Sequence, residues 1–234
     1  MRVVVLTAMV QEMRPVVSVL GLRPASGRDR YEGAAGSHLV RASVTSMGPA
    51  RAAAAVTELL DEDGADAVVM VGIAGSVDPG LSIGDVVVAE EVVDGSSGAV
   101  LHPSPAPHRS PSGRLLTTDR LHGPDDLPRL RHDGVTAVDM ETAAVGAVCA
   151  ERRVPWFSIR AISDAVGDPS TDEAVLGLSR PDGRPRPGAA ARYLLTRPGR
   201  AAHLGRLARG TGVAVRAAAA DLARALDAGA DEWS

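Results

Sequence analysis

Short runs of β-branched and aliphatic residues alternate along the chain with longer amphipathic stretches. Apolar runs of this length, bounded by glycine or polar residues, are typical of strands buried on both faces. They lie at residues 2–7, 67–71, 86–93, 135–138 and 156–162, while residues 38–45 alternate apolar and polar positions. The apolar pattern therefore predicts six strands.

The stretches between these runs have helical periodicity. In residues 10–20 apolar side chains recur at helical spacing, at Met13, Val16, Val17 and Leu20, although Pro15 lies among them. Pro49 suits the first turn of a helix over residues 50–63. Further helices are predicted at residues 141–152, 189–195 and 201–228. Stretches rich in Gly, Ser, Pro or Arg predict a loop at residues 94–112 and a loop or lid at 167–188.

Strands that alternate with helices predict an α/β fold with helices on both faces of a mixed sheet. We expect a three-layer αβα single domain over residues 1–234 with a helical C-terminal tail at about 188–228. At this length one hydrophobic core is adequate.

Composition and charge narrow the class of protein. A net charge of −4 argues against a nucleic-acid partner. No apolar stretch reaches the ~20 residues of a membrane span and no signal peptide is visible, so we expect no membrane span and a cytoplasmic location. The single cysteine, Cys149, is predicted to be a buried structural thiol. The six histidines have no metal-ligand spacing, and we expect neither a metal nor an organic cofactor.

Carboxylates follow two of the predicted elements at places where α/β enzymes keep their chemistry. Asp139, Met140 and Glu141 stand at the start of an apolar helix, and Ser163-Asp164 follows the strand at 156–162. The carboxyl ends of strands are the usual ligand sites of such sheets. The pair predicts an enzyme that acts on a sugar-bearing ligand. Simpler roles stay open: Asp164 could cap a turn, Glu141 could favour the helix dipole, and Asp139 is expected to be structural.

Six motifs in order give the chain a family resemblance over roughly residues 1–168. They are Thr7-Ala8-Met9-Val10-Gln11-Glu12-Met13, Ser46-Met47-Gly48-Pro49, Gly72-Ile73-Ala74-Gly75, Ile83-Gly84-Asp85-Val86-Val87-Val88-Ala89, Val138-Asp139-Met140-Glu141 and Arg160-Ala161-Ile162-Ser163-Asp164. In these motifs the chain resembles the purine nucleoside phosphorylase/uridine phosphorylase superfamily. Within it, the chain is most similar to the 5'-methylthioadenosine/S-adenosylhomocysteine nucleosidases.

The resemblance implies a fold of the nucleoside phosphorylase type and a role for each matched residue. Asp164 would be the general acid toward the departing base, oriented by Ser163, and would need a raised pKa to hold its proton. Glu141 would bind the ribose hydroxyls, with Met140 packed on the sugar. Glu12 would activate the attacking water; a solvated position on its helix is the alternative. Two carboxylates on opposite faces of a sugar suit inverting hydrolysis.

Other matched positions are expected to line the pocket. Met9 and Met47 are pocket or core candidates, and Leu121 stands where the family has a base-stacking aromatic residue. Gly72 and Gly75 are predicted to be turn glycines, with close backbone approach to a ligand as the second interpretation. The resemblance also implies a small-molecule nucleoside substrate and a homo-oligomer, with a dimer favoured.

Water is favoured over phosphate as the nucleophile, because neither place where the family's phosphorylases carry a phosphate-binding arginine has one here. Three departures from the nucleosidase pattern leave alternative functions open. Ile73 replaces a serine of the nucleosidases, the stacking aromatic is missing, and the tail is longer than those enzymes need. The tail and the glycine motif look more like those of hopanoid-associated phosphorylases of the same superfamily. Futalosine hydrolases have the same overall architecture. A phosphorylase or nucleosidase for a bulky 5'-substituted nucleoside, or a non-catalytic nucleoside-binding protein, are the alternatives.

Overall fold

A mixed sheet forms the middle of the molecule in the computed structural model, which describes residues 1–120, 122–123, 125–166, 177–196, 199, 201–228 and 233. Its strands are β1 (Arg2–Thr7), β2 (Arg23–Pro24), β3 (Arg30–Ala35), β4 (His38–Val44), β5 (Ala67–Ser76), β6 (Val86–Val88), β7 (Glu91–Asp94), β8 (Val100–Leu101), β9 (Arg114–Thr117), β10 (Val135–Asp139) and β11 (Trp156–Asp164). The helices are α1 (Val10–Leu20), α2 (Pro49–Asp63), α3 (Leu127–His132), α4 (Thr142–Arg152), α5 (Pro187–Thr196) and α6 (Ala201–Asp227).

Strand β5 is the centre of the sheet. The strand order is β2-β3-β4-β1-β5-β10-β9-β7-β8, and β11 lies along β5 and also pairs with β6. Strands β1 and β11 run parallel to β5 on its two edges, and β10 meets the end of β5 antiparallel, with Val138 opposite Gly75. The carboxyl ends of β5 and β11 and the start of α4 after β10 are thereby brought together.

Alternation along the central strands divides the core into two layers. In β1, Val3 and Val5 pack in the cluster that contains side chains of α1 and α6, whereas Val4 and Leu6 pack in the cluster of α2 and α4. A strand buried on both faces needs apolar residues at every position, which explains its unbroken β-branched run. Helices therefore cover both faces of a mixed sheet, as predicted.

The helix boundaries follow from local chemistry. Helix α1 ends at Gly21, whose φ of 64° is the left-handed conformation that favours glycine at this position. Helix α2 begins at Pro49, directly after Gly48, as the sequence predicts. Pro15 lies inside α1 without ending it.

Four expectations need correction. Gly72 and Gly75 are not turn glycines, because β5 continues through both and neither has a positive φ. In β11, Arg160 pairs with Gly72 and Asp164 pairs with Gly75. Residues 86–93 form two strands, because β6 pairs with β11 whereas β7 pairs with β8 and β9. The predicted loop at 94–112 contains β8, and β11 continues to Asp164. Of the predicted loop or lid at 167–188, residues 167–176 lie outside the described part of the chain.

Candidate active site

Glu12 is held in place by the backbone at the start of α1. Its Oε2 accepts a hydrogen bond from the Met9 amide at 2.8 Å, and its Oε1 accepts one from the Ile73 amide at 3.0 Å. A glutamate at the third helical position commonly reaches back to the amide that precedes the helix. The residue is 2% exposed, so the solvated interpretation is wrong. Because only the backbone of Ile73 is used, the missing serine side chain does not affect this contact.

The environment of Glu12 raises the proton affinity of its carboxylate. Burial raises the pKa of Glu12, and the opposing effects of Arg160 and of the backbone hydrogen bonds do not cancel it. A carboxyl group whose pKa is raised toward neutrality is better suited to accept a proton as a general base.

Arg160 is a site residue for which the sequence analysis predicted no role. It lies in the middle of β11 and is 1% exposed. Its Nη2 donates to the Asp139 carboxylate and to Thr142 Oγ1 (2.8 Å), and lies 3.8 Å from Glu141 Oε2. Its Nη1 is buried and has no hydrogen-bond partner among the described residues. The signal in the sequence was a cation within a buried apolar strand, because a charge there needs partners.

Gly72 is the point at which Arg160 and Glu12 approach each other. A Cβ added at residue 72 would lie 2.5 Å from both Arg160 Nη1 and Glu12 Oε1. Any side chain there would displace one of the two groups. The glycine therefore makes room for two protein side chains, whereas close backbone approach to a ligand stays a prediction.

Asp139 positions the cation and the neighbouring helix. Its carboxylate accepts from Thr117 Oγ1 at 2.6 Å and from the Thr142 amide at 3.0 Å, besides Arg160. With these partners, the carboxylate fixes Arg160 and the first residue of α4. The geometry agrees with the structural role expected for Asp139.

Glu141 directly precedes α4 and faces the same cation. Its Oε1 accepts from the Gly48 amide at 3.0 Å, so the carboxylate links α4 to the loop that contains Met47. Burial, followed by the negative charge of Asp139, raises the pKa of Glu141 to about 8, against the opposing charge of Arg160. Met140, beside it, is half-buried.

Asp164 ends β11 opposite Gly75. Ser163 Oγ donates to Asp164 Oδ1 at 2.6 Å, and a Cβ at residue 75 would lie 3.0 Å from Asp164 Oδ2. Gly75 thus leaves space for the second carboxylate oxygen. Gly75 lies three residues beyond Gly72 on β5, about 10 Å along the strand. The structure therefore places Arg160 and Asp164 along β11, opposite Gly72 and Gly75 of β5, with Glu12 of α1 next to Gly72.

Residues 177–186 cover Met9 and Met47. The Met47 amide donates to the carbonyl of Pro181 at 2.7 Å, and the Val10 amide donates to that of Asp182 at 3.0 Å. Gly183 has a φ of 79°, and a Cβ there would lie 2.6 Å from Met9 Cβ. Both methionines are half-buried beneath this segment. Leu121 lies outside the described residues.

Two other titratable side chains, Cys149 and His122, make none of the contacts described above. Burial raises the pKa of the Cys149 thiol to about 12, which agrees with a structural thiol. His122 contacts Asp126 at 3.3 Å, and burial lowers the pKa of the imidazole.

Within the described part of the chain, no group of three His, Cys, Asp or Glu residues is placed to hold a metal ion. No helix there is long and apolar enough to cross a membrane.

Comparison with known sequences finds a family and named relatives. The phosphorylase superfamily profile matches residues 2–122 and 108–180. A 5'-methylthioadenosine/S-adenosylhomocysteine nucleosidase of Tolumonas auensis is 30% identical over 200 residues, which cover 71% of this chain and 87% of the relative. The nucleosidase of the same name from Mycobacterium bovis is 29% identical over 182 residues, 56% of this chain and 71% of that protein.

Solved structures share the fold. A mutant 5'-methylthioadenosine nucleosidase of Helicobacter pylori with 5'-methylthioadenosine in its active site superposes with a TM-score of 0.72 at 18% identity, over 97% of this chain and 98% of the other. The futalosine hydrolase of the same organism gives a TM-score of 0.72 at 18% identity, over 97% of each chain. Because the first match spans nearly both whole chains, the expectation of a tail longer than in these enzymes is not supported.

Proposed function

The chain belongs to the phosphorylase superfamily, and we propose that it hydrolyses the N-glycosidic bond of a 5'-modified adenosine, of the methylthioadenosine/S-adenosylhomocysteine type, and releases adenine. The observation that carries the proposal is the buried Glu12 carboxylate of α1 close to Nη1 of Arg160, which has no partner among the described residues. Arg160 lies on β11, which ends at Asp164. The relatives named as nucleosidases support the same reaction.

The reaction needs a base on one face of the sugar and an acid at the leaving group. Glu12 takes a proton from water as the oxygen attacks the anomeric carbon, and Arg160 Nη1 orients that water. The bond to adenine breaks with its electron pair on the base, which Asp164 protonates. Ser163 donates to Asp164 Oδ1 and orients the carboxyl group that supplies the proton.

Glu141 holds the sugar between these two groups. Gly48 occupies Oε1, and Oε2 remains for the ribose hydroxyls. Met140 packs against the sugar, and Met9 and Met47 border the site beneath residues 177–186. The roles of Gly75 and Leu121 as substrate contacts stay predictions.

Local charge favours water over phosphate. The guanidinium of Arg160 is already paired with the Asp139 carboxylate, so a phosphate dianion placed there would have to share this cation with Asp139. Phosphorolysis is the second candidate, because Nη1 of Arg160, which has no partner among the described residues, could donate to a phosphate oxygen.

We further propose that the protein is a homodimer located in the cytoplasm. Light scattering of the purified protein measures its mass and tests the dimer.

The decisive experiment is adenine release, followed by chromatography, with and without phosphate. The panel holds methylthioadenosine, S-adenosylhomocysteine, 5'-deoxyadenosine, adenosine, futalosine and an adenosine with a bulky 5' alkyl chain. Turnover without phosphate supports the nucleosidase, and the best substrate identifies the 5' group. A phosphate requirement would establish the phosphorylase instead. Tight binding without turnover would establish a nucleoside-binding protein.

A matched pair of variants tests the acid. Asp164→Asn should abolish adenine release and leave the fold intact, because the amide cannot supply the proton. The control is Asp125→Asn, an exposed aspartate in the turn before α3 and on neither β5 nor β11. Normal turnover by Asp164→Asn would refute the assignment.

A further inference from the structure

Helices α1 and α6 pack side by side and present a surface of unusual composition. We call it the α1/α6 face: Arg14 and Val19 of α1; Arg206, Arg209, Val213 and Arg216 of α6; and Ile83 of the loop beside α6. On α6, residues 206, 209, 213 and 216 are spaced three and four apart and therefore share one stripe of the helix. All seven side chains are exposed.

The contacts around α6 make these residues one continuous surface. A surface groove of about 690 Å³ runs where α1 and α6 meet, and both Arg14 and Arg216 line it. On the other flank of α6, a Cβ at Gly84 would lie 2.9 Å from Val213 Cγ1, and one at Gly210 would lie 3.3 Å from Ile83 Cδ1. The arginines therefore surround an apolar strip.

The positive charge of this face is not compensated locally. None of its four arginines makes an ion pair with a described residue. Helix α1 contains one acidic residue, the buried Glu12, and α6 has none before Asp221, which is also buried. The nearest exposed carboxylate along the chain to Ile83 is Asp85, which accepts from the Ser82 amide. Cations are thus concentrated here in a chain whose net charge is −4.

Exposed apolar side chains are concentrated on the same face. Five large hydrophobic residues are exposed in the described part of the chain, and three of them are Val19 (49%), Ile83 (38%) and Val213 (43%). Arginines on one stripe with exposed aliphatic residues among them are typical of helices that lie on a membrane surface.

We propose that the α1/α6 face docks on an anionic lipid bilayer, with the arginines at the headgroups and the three aliphatic side chains at the boundary with the acyl chains. A second copy of the same face fits less well, because a symmetric contact would place arginines against arginines. Single-stranded nucleic acid fits less well, because bases stack on aromatic side chains and the face exposes none. The proposal does not depend on the reaction proposed above.

The test is flotation of the full-length protein with vesicles of phosphatidylcholine alone or mixed with phosphatidylglycerol. We expect binding to the anionic vesicles only, weakened by salt. The triple variant R206Q/R209Q/R216Q should lose roughly two orders of magnitude in partitioning, about fivefold for each arginine. Its control is R23Q/R129Q/R153Q, which removes three exposed arginines elsewhere and gives the same net charge.

The aliphatic residues provide a second readout. V19S/V213S should weaken the binding that survives at high salt, while hydrolysis of a soluble nucleoside by either α1/α6 variant stays at the wild-type rate. Equal binding to neutral and anionic vesicles, or an equal loss in the control triple variant, would overturn the proposal. Binding to single-stranded nucleic acid in preference to vesicles would overturn it as well.

Discussion

Two buried charged clusters in this molecule use the same residue types in opposite proportions. In the first, Glu12, Asp139 and Glu141 surround one cation, Arg160. In the second, Asp221 of α6 lies among three basic side chains, accepting from His108 Nε2 at 2.8 Å, Arg109 Nη2 at 2.9 Å and Arg224 Nη2 at 2.5 Å. The acidic residues of both clusters are buried.

The difference appears in how the carboxyl groups ionise. Burial by itself would raise the pKa of Asp221, but hydrogen bonds from His108, Arg224 and Arg109 hold it well below its usual value. Burial raises the pKa of Glu12 and of Glu141. The opposing charge of Arg160, which is shared among three carboxyl groups, does not offset this effect. The Asp221 cluster satisfies its charge and ties residues 108 and 109 to α6. The Arg160 cluster has one cation for three carboxyl groups. Each cluster has one buried nitrogen without a partner among the described residues, Nη1 of Arg160 and Nδ1 of His108. The clusters therefore differ in their carboxyl pKa values, and raised values are the condition expected of a site that binds and reacts.

The largest effect should come from removing the shared cation. Arg160→Met leaves the buried Asp139 carboxylate without its ionic partner, and we expect a loss of about 3–5 kcal/mol in the free energy of unfolding. Urea denaturation measures it. Arg153→Met, at an exposed arginine, should change little. A variant as stable as the wild type would show that the carboxyl groups are neutral throughout and that Arg160 balances no charge.

Gly72→Ala tests the crowded point between Arg160 and Glu12. The added Cβ would lie 2.5 Å from both groups, so one of them must shift. Displacement of a catalytic group by about 1 Å can cost roughly 100-fold in rate. We expect that loss in kcat for adenine release. Gly205→Ala on α6, where a Cβ meets nothing within 4 Å, should keep full activity. Equal kcat values in the two variants would contradict the close approach.

The Asp221 cluster should respond in stability and leave the chemistry unchanged. Asp221→Asn weakens three charge-assisted contacts, and we expect a loss of about 1–3 kcal/mol near neutral pH with unaltered adenine release. The folded-state pKa is lowered, so this contribution is present above the unfolded pKa of about 3.9 and disappears as the pH falls through the folded value. The gap in Tm from the wild type should therefore close on strong acidification. An unchanged gap in acid would assign the effect to packing.

The two clusters also mark the limit of prediction from sequence. The strands at β1 and β11 and the helices α1, α2 and α4 follow from local apolar spacing and were predicted within a few residues. The role of Arg160 depends on partners from α1, β10 and the start of α4. Asp221 meets His108 across 113 residues of chain. Neither cluster has a local pattern that reports it.

Gly72 and Gly75 show the same limit in the backbone. A glycine motif after an apolar run predicts a turn when it is considered by itself. Pairing with β11 through Arg160 and Asp164 instead extends β5 across both glycines. The sequence could identify them as special positions, whereas the reason, two side chains approaching from neighbouring elements, exists only in the folded chain.

The last expected effect has the opposite sign from the others. The pKa of Glu141 is raised to about 8, so the stability linked to this group is complete below its unfolded pKa of about 4.3 and is lost as the pH rises toward 8. Glu141→Gln keeps an acceptor for the Gly48 amide but removes the buried charge beside Asp139. Near pH 8 we expect the variant to be more stable to unfolding than the wild type, and near pH 4 the two should coincide. Thermal unfolding across this range, with the exposed Glu90→Gln as control, measures the difference. If Glu141→Gln is instead the less stable protein at pH 8, the contact with Arg160 outweighs burial, and the Arg160 cluster is held together by charge as the Asp221 cluster is.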